Sequence, residues 1–189
     1  MEERWDDLLA DLEAQARSQD DADRRAHDEE LARADAASLT LSERLRSLGG
    51  ADATVTVRGA GPVRGRIGAV GSSWIVVDDG RTVLLRLGAV LTVRSHETVD
   101  MQADSRRRQV PAVAARWGLG AVLRRYAQER VDVAVVLVDG EMLRGVVASV
   151  GADHLELVET DRADRARHVV PLIAVAAVVS AFDPQRHAY

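Results

Sequence analysis

The stretch VDVAVVLVDGEMLRGVVASVGADHLELV, Val131–Val158, decides how this chain is read. Apolar residues alternate with others through Val133, Val135 and Leu137, the pattern of a strand with one buried face. Asp139-Gly140 follows as a tight turn, since glycine takes the positive φ that such turns demand. The next apolar run, up to Val150, is interrupted by Gly145, and a glycine inside a strand marks a bend or bulge. The pattern also stands 80 positions earlier, in Ala51–Asp78. Val55, Val57, Val63, Gly65, Val70, Gly71 and Ile75 return as Val135, Leu137, Leu143, Gly145, Val150, Gly151 and Leu155. Two copies of one small β-module are expected.

Each module has a helix before it. Ser38–Leu48 carries Thr40 and, three residues on, Glu43, a capping box, and Gly49-Gly50 ends it. Val113–Gln128 places Leu119, Leu123 and Tyr126 at helical spacing. After the first module's glycine-rich turn come Trp74–Asp78, the hairpin signal Asp79-Gly80, then Arg81–Leu85 and Ala89–Val93, which complete five short strands. The second module ends in Val169–Val179, apolar at almost every position. Such a strand pair needs cover on both faces, so Ala176 and Val178 are expected at an interface with the other module or a second copy of the chain.

The expected fold is α+β and mainly β: an N-terminal helical arm, then two small five-stranded barrels, each with a lead-in helix. The segments are an acidic helical arm (1–37), the first helix and barrel (38–95), a polar Arg-rich linker (96–112), the second helix and barrel (113–181) and a disordered tail (182–189).

A lead-in helix followed by five short, bent strands resembles the Sm-like barrel of LSm proteins and bacterial Hfq. The residues that carry the likeness are Val133, Val135, Leu137, Asp139-Gly140, Gly145, Val147, Val150, Leu155 and Leu157. The resemblance implies a small barrel, and it implies RNA binding through an Asp and an Asn between the second and third strands and an Arg-Gly near the last turn. Here Gly71 and Gly151 occupy the acidic position, and neither loop has an Asn. The last turns, Leu87-Gly88-Ala89 and Leu172-Ile173-Ala174, have no arginine, so those RNA-binding residues do not carry over. The chain is also similar to Arg/Ala/Val-rich tandem proteins of high-GC bacteria, a group of unassigned function.

Composition narrows the chemistry. There is no cysteine, which removes disulfides, thiolate metal sites and cysteine nucleophiles. Every basic side chain but histidine is arginine, as a high-GC genome favours. Residues 1–50 hold 14 acidic and 7 basic side chains, a net of −7, while the remainder holds 16 and 18, a net of +2. The modules thus lack the charge footprint of a strong nucleic-acid binder. No signal peptide and no membrane span is read, and a cytoplasmic location is expected. Asp153, His154 and His168 are zinc-capable types without a recognised spacing. Ser72, Ser73 and Ser149 lack a nucleophile motif. No metal, no cofactor and no enzymatic activity are expected.

Two functions of different class remain. The first is a non-catalytic interaction or scaffold protein that assembles through its barrel edges and recruits a protein partner with the arm face Trp5, Leu8, Leu9 and Leu12. The second is a weak RNA- or DNA-binding regulator that uses Arg106, Arg107, Arg108, Arg116, Arg124 and Arg125 on phosphates, with Trp74 as a stacking platform. Trp74 also reads as a core lid.

Overall fold

Two runs of helix and five strands follow one another in the computed structural model, which describes Glu30 and residues 37–95, 116–160 and 166–180. The first run is α1 (Leu41–Ser47), β1 (Asp52–Val57), β2 (Gly61–Val70), β3 (Trp74–Asp78), β4 (Thr82–Arg86) and β5 (Val90–Ser95). The second is α2 (Leu119–Gln128), β6 (Asp132–Leu137), β7 (Met142–Val150), β8 (His154–Glu159), β9 (Arg167–Pro171) and β10 (Val175–Ser180). One 3-10 turn, Leu87–Ala89, joins β4 to β5, and another, Leu172–Ala174, joins β9 to β10. The expected arm apart from Glu30 and Ala37, including Trp5, Leu8, Leu9 and Leu12, lies outside the described residues. So do the linker 96–112 and the tail 182–189.

The mainly β character stands, but the expectation of two separate five-stranded barrels is overturned. All ten strands belong to one antiparallel sheet, in the order β5-β1-β2-β3-β4-β10-β6-β7-β8-β9, and it does not close into a barrel. The physical reason lies at its centre. β4 and β10 each have a backbone edge to satisfy and apolar side chains on both faces, and each meets both needs by pairing with the other. Leu85 stands opposite Ala177, Leu84 opposite Val178, Val83 opposite Val179 and Thr82 opposite Ser180.

The pairing registers of the two runs correspond. Val55 faces Val63 and Val135 faces Leu143; Ala53 faces Gly65 and Val133 faces Gly145. Ile67 faces Val77 and Val147 faces Leu157, with an irregularity after each pair. The glycines are required by close approach: a Cβ on Gly65 would overlap the Asp78 carbonyl, and one on Gly145 the Val158 carbonyl.

Both helices are tied to the sheet by the same contact. Arg46 on α1 donates to the carbonyls of Val70 and Gly71, both at 3.3 Å. Arg124 on α2 donates to the carbonyls of Val150 (3.4 Å) and Gly151 (3.0 Å). α2 starts at Leu119, later than the spacing from Val113 suggests, because Gly118 is extended and the Trp117 carbonyl is held elsewhere. The Trp117 carbonyl accepts from the Trp74 indole N–H (2.8 Å) and the Ser72 hydroxyl (3.1 Å), and the Leu119 N–H donates to Ser73 Oγ (3.0 Å). The entry of the second helix is thereby fastened to the first run's β2–β3 turn.

Two apolar clusters form the core, and each draws on both runs. Trp74, Val76 and Leu84 pack with Leu123, Tyr126, Leu155 and Val178. Val136, Ala176 and Ala177 pack with Leu45, Val55, Ile75 and Leu85. This is why β3, β4 and β10 read as nearly continuous apolar runs: both of their faces are buried. The two runs also touch at their turns, where Gly59 (φ 77°) lies so close to the Leu137 carbonyl that no Cβ fits.

Three mutational outcomes follow from this packing. Gly145→Ala and Gly65→Ala force a strand away from its neighbour and are expected to cost about 1–3 kcal/mol each in urea unfolding. Ala176→Asp places a carboxylate where the residue is fully buried. It should cost more than the ~1–3 kcal/mol of a buried neutral polar group and abolish a single cooperative melt. Arg86 donates from Nε to the Val175 carbonyl at 2.6 Å across the junction. Arg86→Met keeps much of the stem but leaves that carbonyl unmatched, for an expected loss of about 1–3 kcal/mol by the same measurement.

Candidate interaction surfaces at the open edges of the sheet

A ten-stranded sheet that stays open has two edges, and here they are β5 and β9. β5 is hydrogen-bonded to β1 alone and β9 to β8 alone among the described residues. Their outer N–H and C=O groups are a template for a further strand. Each edge carries an exposed arginine, Arg94 on β5 and Arg167 on β9, but large apolar side chains are exposed beside them. Leu91 on β5 is 55% exposed, Val169 on β9 is 64% exposed, and Ile173, in the turn after β9, is 76% exposed. Elsewhere in the sheet, side chains of this size are mostly inside. Their clustering at both open edges is what makes the edges the candidate site.

The edges match the strands that meet at the centre. β4, its 3-10 turn and β5 run 5, 3 and 6 residues, and so do β9, its turn and β10, at an offset of 85. Val169 thus corresponds to Leu84, which is 1% exposed, and Leu91 to Ala176, which is 0% exposed. Both Leu91 and Ala176 are the residue skipped where the pairing register shifts: Val57 pairs with Val90 and Thr56 with Thr92, while Leu137 pairs with Val175 and Val136 with Ala177. The chain closes off the carbonyls of the 3-10 turns in the same way, with Arg58 N–H donating to Ala89 and Val138 N–H to Ala174, both at 2.9 Å. The charged and titratable groups along β9 lie beside carboxylates, though His168 Nε2 lacks hydrogen-bond geometry to its neighbour. His168 Nε2 lies 3.1 Å from the Glu159 carboxylate, and Arg167 donates to Glu156 at 3.1 Å.

A cleft of about 540 Å³ lies between the first run's β4 end and the start of α2, lined by Ser73, Arg86, Gly118, Arg124 and Leu172 among others. Its two guanidinium groups are engaged with backbone carbonyls, Arg86 with Val175 and Arg124 with Val150 and Gly151. Burial, and then the nearby Arg58, hold the Arg86 pKa below the usual arginine value. Nothing in the lining pairs a nucleophile with a base.

The residues singled out in the sequence are placed as follows. Trp74 is 3% exposed, with its indole N–H satisfied by Trp117, so its faces pack in the core and are not offered to a base. Arg116 and Arg124 are exposed on and before α2, and Arg125 is half-buried. Arg106, Arg107 and Arg108 lie outside the described residues. Ala176 and Val178 are both fully buried, in the central strand between β4 and β6. Ser72 and Ser73 hydroxyls serve the helix entry described above. His154 Nδ1 lies 2.9 Å from Asp153, whose carboxyl is held below its usual range by that hydrogen bond and by the imidazole's charge. His168 contacts Glu159 instead, and no group of three His, Cys, Asp or Glu gathers among the described residues.

Leu91, Val169 and Ile173 were not picked out by sequence reasoning. The signal was present in the difference between copies: Leu91 is large where its counterpart Ala176 is small. No helix among the described residues is long and apolar enough to cross a membrane. No protein-family model matches the chain, and no curated protein matches it.

Proposed function

We propose that this chain is a non-catalytic interaction protein whose open β5 and β9 edges take up strands of a protein partner. One observation carries the reading: among the described residues no strand pairs with the outer side of either edge, and both carry exposed large apolar side chains, Leu91 and Val169. Main-chain hydrogen bonds supply affinity in this mode of recognition, and apolar side chains beside the added strand supply selectivity. A folded protein that leaves such edges uncovered risks aggregation, so cover by a partner is the state in which the edges are safe. The nucleic-acid reading has less behind it. Trp74 is internal, and the guanidinium of Arg124 is spent on backbone carbonyls.

The test uses the full chain and a Leu91→Asp/Val169→Asp double variant in affinity capture from the native cell, with and without nuclease. The expected result is a protein captured by the wild type and lost from the double variant, which on addition in purified form slows hydrogen exchange in β5 or β9. Equal capture by both chains, or capture abolished by nuclease alone, overturns the reading.

A further inference from the structure

The two edges left open are counterparts of the two that meet at the centre of the sheet. β9 corresponds to β4 and β5 to β10, and within the chain β4 and β10 are hydrogen-bonded partners. We propose that copies of the chain associate head to tail, the β5 edge of one chain pairing antiparallel with the β9 edge of the next in the register of the central junction. The inference rests on the edge reading above and names its partner as a second copy of this chain.

The register can be written down. At the junction Val178 stands opposite Leu84, Ala177 opposite Leu85 and Ser180 opposite Thr82. The same spacing sets Val93 opposite Val169, Thr92 opposite Val170 and Ser95 opposite Arg167. Leu91, the bulge residue, falls with Thr92 on the face opposite Val169, as Ala176 and Leu84 enter different apolar clusters at the junction, so each face of the new pairing gains one large apolar side chain. Their counterparts Ala176 and Leu84 show what such pairing does to exposure, since both are buried at the junction. Arg94 comes opposite His168, whose ring lies 3.1 Å from the Glu159 carboxylate, so a negative group is close to the new positive one.

One feature of the junction is not repeated. Pro171 stands where Arg86 stands, so no guanidinium reaches the carbonyl of Val90 as Arg86 reaches that of Val175. Proline at the end of β9 also lacks an N–H to donate. Association between chains is therefore weaker than the union of the two halves, and dependent on concentration. Because each chain offers one edge of each kind, the contact joins unlike surfaces and can extend beyond two copies into a ring or a filament.

Light scattering after gel filtration, over a concentration series of the full chain, tests this. The mass of the wild type should rise above 20.5 kDa with concentration. Leu91→Asp and Val169→Asp alone should each stay at the mass of one chain, with unchanged circular dichroism because both side chains project outward. An equimolar mixture of the two should give a capped dimer, twice 20.5 kDa and no more, since one intact edge of each kind remains. Lysine at the same two positions repeats the experiment should either aspartate disturb the fold. A wild type that holds at one chain's mass throughout overturns the proposal. So does a Val169→Asp chain that still dimerises, which would mean β5 pairing with β5. A monomeric wild type leaves the edge reading to be decided by its own capture experiment, where a different protein lost from the double variant would sustain it.

Discussion

The pairing of β4 with β10 is the contact on which the rest of the architecture depends. It converts two five-stranded runs into one sheet, and among the described residues it is the only place where a strand of the first run bonds a strand of the second. The two apolar clusters follow from it, because they can borrow from each other only when β3, β4, β10 and β6 lie side by side. A typical buried valine or leucine contributes about 1.5–3 kcal/mol. Leu84, Leu85, Ala177 and Val178 all sit in this strip, so the junction is core rather than a seam between domains. The Arg86 bond to Val175, the contact of the Gly59 turn with Leu137, and the Trp117 carbonyl held by the β2–β3 turn then brace it from its ends.

Local structure was well written in the residues. Alternation at Thr54–Val57 and Val133–Leu137, the Asp-Gly turns and the intrastrand glycines each have a direct steric or hydrogen-bonding cause, and strands appear where those signals stand. Gly80 and Gly140 take φ of 95° and 98°, and the preceding aspartates accept from nearby backbone N–H groups. The arrangement of strands was less legible. A strand's sequence reports how many of its faces are covered but not by which neighbour. Trp74-Ile75-Val76-Val77 and Val83-Leu84-Leu85 carry the same two-faced apolar pattern as Val175–Val179, and that shared pattern was the mark of a continuous sheet. Reading the first run as a closed barrel put the cover of β3 and β4 inside that module, whereas Trp74, Val76 and Leu84 face the second helix and its neighbours.

The candidate site was harder still to read, for a physical reason. An edge is defined by what does not pair with it, and no residue type encodes that absence. Val169 belongs to an apolar stretch that looked uniformly buried, yet it is largely exposed while Val175 to Val178 are not. The helices show the opposite case. Arg124 read as a candidate phosphate contact and Arg46 drew no attention, but each donates to the last carbonyl of a strand and the one after it, and so acts as a strut.

The central strand pair also sets an order of events during synthesis. Arg86 and Val175, which it brings together, stand 89 residues apart in sequence. At bacterial and eukaryotic elongation rates β4 is finished about 5–20 s before β10 is available. For that interval the nascent first run has an unpaired inner edge, and Trp74, Val76 and Leu84 lack the helix that covers them. Contacts of such long range are slow to form even in a complete chain. Neighbouring ribosomes on one messenger carry further along a β10 that fits this edge equally well.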